Sequence, residues 1–167
     1  MTTILGLSGS LRRASLNSGL LRAAAEAAPE GVTITIGDIA PVPLYDGDLE
    51  AADGLLLVSP EYNNGVPGVL KNVIDWMSCG QGMAIFKGKP VAVIGASPGN
   101  FGTAHAQSHW LPVLRMLATR PWWEGRLMVS RAGDLFDDQG NLTDDKTRER
   151  LAEFVAGFAG SIGGGRS

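Results

Sequence analysis

The sequence is poor in the features that mark several common protein classes. Its 167 residues include one cysteine, Cys79, so an internal disulfide is impossible and a reducing cytoplasm is expected. The net charge is −3 and no basic stripe is present, so nucleic-acid binding has no electrostatic support. No apolar run approaches the roughly 20 residues that a membrane-spanning helix needs. We therefore expect a cytoplasmic protein that binds neither membranes nor nucleic acids.

Short apolar runs alternate with helical patterns along the chain. Runs at 4–7, 32–36, 54–58, 91–95 and 126–129 predict strands, and apolar spacings of three and four predict helices at 17–28, 67–77, 103–118 and 143–162. Pro112 is expected to kink the third helix or to start a new segment. The alternation predicts a flavodoxin-like α/β three-layer sandwich, in which a five-stranded parallel sheet of order 2-1-3-4-5 carries helices on both faces. We expect one domain over 1–162 and a disordered glycine-rich tail over 163–167.

The connection between the second and third strands is unusually short. A parallel crossover needs about a dozen residues and usually contains a helix. Pro41, Pro43 and Gly47 leave room for little more than one helical turn, at 48–53. Either this part of the helical layer is nearly absent, or residues are missing from the sequence.

Three loops follow strands one, three and four, where open α/β sheets bind their ligands. The first, at 9–17, lies within GLSGSLRRASLNSG at 6–19, and this stretch matches neither the dinucleotide fingerprint nor the P-loop pattern. Its serine hydroxyls, Arg12 and a helix start near Asn17 suit one terminal phosphate instead. The alternative is that Ser and Asn only cap the helix.

The second and third loops have the composition of binding loops. SPEYNNGVPGVLKN at 59–72 is stiffened by prolines, and Asn64 and Gly65 are residue types that tolerate positive φ. Such a rigid loop can present N–H groups to the edge of a flat polar heterocycle. ASPGNFG at 96–102 offers Gly99 and Gly102 for a close backbone approach. An ordinary strand-to-helix turn is the alternative for each.

With these loops in view, the sequence resembles the NADPH-dependent FMN reductase family, which includes chromate, quinone and azo-dye reductases. The matching motifs are GSLRRASLN at 9–17, PEYNNGVPGVLKNVIDW at 60–76, and ASPGNFG with HAQSHW within 96–110. The resemblance implies a tightly bound FMN and names the residues that would hold it. These are Ser10, Arg12, Ser15, Leu16 and Asn17 at the phosphate, Pro60, Glu61, Tyr62 and Asn63 at the isoalloxazine and ribityl chain, and Ser97, Pro98 and Gly99 on the other side.

The resemblance also implies an activity. NADPH or NADH would pass a hydride to FMN, which would reduce a small acceptor such as a quinone, flavin, azo compound or chromate. Because the flavin carries the chemistry, we name no catalytic side chain. Such enzymes are commonly homodimers or homotetramers.

Other classes remain as alternatives. A flavodoxin-type electron carrier would lack the NAD(P)H step, and the modest negative charge and the arginine pair disfavour it. GLSGS at 6–10 approaches the nucleophile elbow of serine hydrolases, but Ser10 replaces its last glycine. A receiver domain would need acidic residues where Ser8 and Ser59 stand. His105 and His109 have a metal-binding spacing but no third ligand nearby in sequence, so we expect no metal.

Overall fold

The computed structural model describes residues 1–39, 47–80 and 82–164. The strands are β1 Thr2–Ser8, β2 Val32–Gly37, β3 Gly54–Val58, β4 Pro90–Ala96, β5 Arg120–Pro121 and β6 Leu127–Val129. The helices are α1 Leu16–Glu26, α2 Gly47–Ala51, α3 Gly68–Met77, α4 Gly82–Phe86, α5 Ala104–Met116 and α6 Asp145–Gly163, with a 3₁₀ turn at Ala132–Asp134.

All pairings of these strands are parallel, and the order β2-β1-β3-β4-β5 confirms the predicted flavodoxin-like sheet. The fifth position differs from the prediction, because two short strands share it. β5 pairs with the start of β4, β6 pairs with its end, and 122–126 leave the sheet between them. Pro121 has no N–H for a continued ladder, which fits a break at this point.

Two apolar cores lie on opposite faces of the sheet. On one face, α1 and α6 cover the strands with side chains such as Leu20, Phe154 and Phe158. On the other face, the core includes Leu70 of α3 and Trp110 of α5. Because both faces are covered, β3 is buried along its whole length, as its continuous GLLLV run predicts.

The short crossover contains one brief helix, α2, close to the turn predicted at 48–53. Residues 40–46, which include Pro41 and Pro43, lie outside the described residues. The Lys89 ammonium donates to the carbonyls of Leu49 and Ala52, at 2.8 and 2.6 Å. Burial lowers the pKa of Lys89, while Asp53 and Glu50 oppose that shift. Lys89 therefore satisfies the carbonyls at the end of α2 and holds this helix against the sheet.

Two details of the helices can now be stated. Of the two alternatives predicted for Pro112, a new segment is excluded, because α5 is one continuous helix in which Pro112 is exposed while Ala106, Trp110 and Leu114 anchor the buried side. α6 extends to Gly163, and the Gly164 N–H donates to the Gly160 carbonyl at 3.2 Å. The tail predicted for 163–167 thus starts inside an ordered helix end, and 165–167 lie outside the described residues.

Candidate functional site

The loop between β1 and α1 ends in a capped helix start. Ser15 is the N-cap of α1, and its buried hydroxyl accepts from the Ser18 N–H at 3.2 Å. Among the described residues, five backbone N–H groups of this loop find no acceptor; they belong to Ser10, Leu11, Arg13, Ala14 and Ser15. Arg12 is exposed beside them. Free donors at the positive end of a helix, with a guanidinium alongside, form a donor set that suits a phosphate.

Two polar side chains in the first turn of α1, those of Asn17 and Ser18, point toward the sheet. The Asn17 amide donates to the Ala96 carbonyl and accepts from the Ala96 N–H, both at 2.9 Å. The Ser18 hydroxyl lies 3.0 Å from that of Ser8. The Asn17 side chain is therefore anchored to β4 through its oxygen and one of its two amide hydrogens, and the Ser18 hydroxyl is drawn toward β1.

The turn at 137–141 braces the start of α1. The Arg22 guanidinium donates to Asn141 Oδ1 at 2.7 Å and to the Gly140 carbonyl at 3.4 Å. Hydrogen bonds from Asn141 lower the pKa of Asp137, whose carboxylate closes this turn. The first loop is thus supported from a segment more than a hundred residues away, which helps to preorganise it.

The second loop is a rigid turn on a buried base. Pro60 is buried, and Tyr62 and Gly65 exchange two backbone hydrogen bonds of 3.1 and 2.9 Å. The two residues between them, Asn63 and Asn64, have φ values of 49° and 61°, as in a type I′ turn. Positive φ therefore falls on both asparagines and not on Gly65, and the half-exposed Tyr62 stands at the rim.

The second loop is also fastened to α5. Glu61 Oε2 accepts from the Ala106 N–H at 3.0 Å. The indole N–H of Trp110 donates to the Ser59 hydroxyl at 2.9 Å, and both of these residues are fully buried. The second loop is therefore hydrogen-bonded to α5 at two points, Ser59 and Glu61.

The third loop is held by the segment after β6. The Ser97 N–H donates to the Val129 carbonyl at 2.9 Å, and the Ser97 carbonyl accepts from Ala132 at 3.1 Å. The Ser97 hydroxyl also accepts from the Gly99 N–H at 3.2 Å, while Pro98 and Gly99 are exposed. The loop is thus an ordered turn that presents its tip to solvent.

The three loops meet at one edge of the sheet. A Cβ on Gly9 would lie 2.8 Å from Pro60 Cδ and 2.9 Å from Pro67 Cγ, so the first and second loops are in contact. A Cβ on Gly95 would lie 2.2 Å from the Ser59 carbonyl oxygen, so the end of β4 approaches the second loop equally closely. The twelve predicted residues therefore all lie on loops or helix ends at the carboxyl edge, after β1, β3 and β4.

This arrangement fits FMN. A donor-rich helix start accommodates a terminal phosphate, a rigid polar turn accommodates the edge of a heterocycle, and glycine lets the loops approach closely. In the part of the chain that the structure describes, no group of three or more His, Cys, Asp or Glu residues is placed to hold a metal. None of the helices there has the length and apolar character that crossing a membrane requires. Fold and site together define a doubly wound mononucleotide-binding protein.

Comparison with known proteins narrows this class. The family model described as NADPH-dependent FMN reductase matches residues 2–134, and the chain belongs to this family. It is 43% identical over 166 residues to an NAD(P)H-dependent FMN reductase of Pseudomonas aeruginosa, covering 90% of this chain and 89% of that protein. It is 38% identical over 166 residues to a 2-hydroxy-1,4-benzoquinone reductase of a Burkholderia species, covering 90% and 91%. The flavoenzyme NAD(P)H:(acceptor) oxidoreductase FerB of Paracoccus denitrificans is similar in structure, with a TM-score of 0.86, 31% identity and 98% of each chain covered.

Two connections at the site were not predicted. The Asn17 amide and the Glu61 carboxylate each bind backbone groups, and these belong to residues 79 and 45 positions away. Backbone groups carry no sequence signature, so no pattern could have paired them. The one local hint is that the first turn of α5 contains no acidic residue, so a carboxylate that interacts with this positive helix end has to come from another segment.

Proposed function

We propose that this chain is an FMN-dependent NAD(P)H oxidoreductase that reduces a small acceptor, such as a quinone, flavin, azo compound or chromate. The observation that carries the proposal is the convergence of three loops around the free donors at the start of α1. The family membership and the quinone-reducing relative support the reaction class.

The residues of the three loops would bind different parts of FMN. Ser10, Arg12 and Ser15, with the backbone of Leu16 and Asn17, would hold the phosphate. Pro60, Glu61, Tyr62 and Asn63 would border the ring and the ribityl chain, and Ser97, Pro98 and Gly99 would close the other side.

When bound, FMN supplies the two-electron chemistry that links NAD(P)H to the acceptor. The chain's own part is to bind, orient and stabilise charge. The Tyr62 N–H donates to Gly65 and is unavailable, which leaves the N–H groups of Glu61 and Asn63 to face negative charge on the ring. No side chain is assigned as an acid or base, because the flavin would carry the hydride chemistry.

The test is to purify the protein, strip any flavin, and titrate the apoprotein with FMN. We expect a yellow holoprotein with one FMN per chain, bleached by NADPH or NADH without a partner protein and restored by a quinone. Protein that stays colourless in excess FMN would refute the proposal. Flavin that binds but is not bleached by either nucleotide would favour the flavodoxin-type carrier instead.

We further propose that residues 1–162 act as one domain of a cytoplasmic homodimer or homotetramer. The exposed indole of Trp123, 58% accessible beside the break in strand five, supports a contact between copies. The exposed free thiol of Cys79 supports a reducing compartment. Light scattering on the eluting holoprotein tests the assembly, and a monomer at micromolar concentration would contradict it.

A further inference from the structure

Helix α5 begins without a capping group of its own. Its N-cap residue, Thr103, makes no capping bond, because the Thr103 hydroxyl instead accepts from the Gln107 side chain at 3.0 Å. The first turn contains no acidic residue. The first N–H groups of a helix have no partners within the helix, so they need acceptors from outside.

Glu61 supplies that acceptor from the second loop. Its Oε2 lies 3.0 Å from the Ala106 N–H, in the first turn of α5. A carboxylate at this end of a helix is favoured both by the charged hydrogen bond and by the helix dipole. The negative charge of Glu61 and the positive end of α5 therefore offset each other, beside the loop that would border the flavin ring.

A second contact shows that α5 sets the loop's position. The buried Trp110 indole donates to the Ser59 hydroxyl at 2.9 Å, and that hydroxyl donates to the Pro60 carbonyl at 3.0 Å. One helix thus holds the loop at Ser59 and again at Glu61. Both attachments lie at the start of the loop backbone that would carry the donors facing the ring, the N–H groups of Glu61 and Asn63.

We propose that Glu61 is a positioning residue for the flavin. Its bond to α5 fixes the loop geometry, and its negative charge cancels the positive helix end that would otherwise favour the reduced, anionic form of FMN. This inference rests on the proposed placement of the ring against the second loop.

Two substitutions separate geometry from charge. Glu61→Gln keeps an oxygen acceptor for Ala106 and removes the charge, while Glu61→Ala removes both. Glu153→Gln, on the exposed side of α6, is the matched control for loss of one carboxylate. The measurements are exchange protection of the Ala106 amide in apoprotein, the Kd for FMN, and the midpoint potential of bound FMN.

We expect Glu61→Ala to lose the Ala106 protection and to weaken FMN binding about tenfold. Glu61→Gln should keep both within about twofold, yet shift the balance of FMN toward its reduced form by about threefold to tenfold. A tenfold shift equals about 30 mV for a two-electron couple. The control should match the wild type in all three measurements.

An unchanged midpoint potential in Glu61→Gln would overturn the electrostatic role, and unchanged Ala106 protection in Glu61→Ala would overturn the positioning role. Failure of the proposed function is a separate result, because it appears as a wild-type protein that does not take up FMN. The exchange measurement needs no FMN and tests the link to α5 in either case.

Discussion

Replacing Asn17 by alanine removes the two hydrogen bonds between the start of α1 and Ala96 at the end of β4. The amide of Asn17 pairs with both backbone groups of Ala96, at 2.9 Å each. Asn17 and Ala96 are 4% and 2% exposed, so water cannot take over the lost bonds without opening the structure. Asn17→Ala therefore leaves one donor and one acceptor buried without partners.

The size of the effect follows from that count. A buried polar group left without a partner costs about 1–3 kcal/mol, so two cost about 2–6 kcal/mol. The whole stability of a domain is typically about 5–15 kcal/mol. For a chain of 167 residues, each kcal/mol lowers Tm by about 2–4 °C, so we expect a fall of at least about 4 °C.

Urea unfolding of the apoprotein, followed by tryptophan fluorescence, measures the change without a stabilising contribution from the ligand. Asn72→Ala, at an exposed position of α3, is the control and should stay within about 0.5 kcal/mol of wild type. The m-value should be unchanged, which would show that both variants unfold from a compact native state.

A loss below about 1 kcal/mol for Asn17→Ala would refute the structural role of this amide. If that small loss came with much weaker FMN binding, the side chain would be a phosphate ligand, as the family resemblance alone suggests. A large loss of stability, with FMN affinity reduced only in proportion to unfolding, would support the arrangement described here.

Three further predictions follow from the site and its supports. Arg12→Ala should raise the Kd for FMN about 10- to 150-fold in fluorescence titrations, whereas an equal loss in Arg13→Ala would point to net charge rather than a specific contact. Gly95→Ala should abolish FMN binding and lower Tm, because the new Cβ would lie 2.2 Å from the Ser59 carbonyl oxygen. Gly133→Ala is the control and should do neither, because its Cβ would meet no atom within 4 Å. Asp144 caps α6, and hydrogen bonds from Thr147 lower the pKa of its carboxyl group. Asp144→Ala should therefore lower the free energy of unfolding most near neutral pH, and the difference from wild type should disappear as the pH falls through the folded-state pKa of Asp144. A difference in urea titrations that does not depend on pH would contradict this.

The parts of the fold that depend on periodicity were predictable. The continuous run at 54–58 and the spacing of Leu151, Phe154 and Phe158 each reflect burial of one segment, so they are visible in the sequence itself. The path through Pro112 was not, because tertiary packing of Trp110 and Leu114 outweighs the local cost of proline. The split of the fifth strand was missed because it depends on pairing with β4.

The candidate site also has a part that could be predicted from the sequence and a part that could not. Loop composition and the position of the strand ends indicated the edge of the sheet where we propose that a ligand binds, and the resemblance implied that this ligand is FMN. The tasks of individual side chains were less accessible, since Asn17 and Glu61 bind backbone groups that are remote in sequence. The family resemblance implies that both residues contact FMN, and the structure adds the backbone groups that their side chains bind.

Helix α6 has a consequence for the way this protein is made. Every strand of the sheet precedes residue 145, yet one face of that sheet is covered in large part by Phe154, Phe158 and Ile162. On the ribosome, the part of that face that α6 covers stays uncovered until α6 has emerged. A chain stalled before that point therefore exposes an apolar surface to chaperones and to other copies of itself.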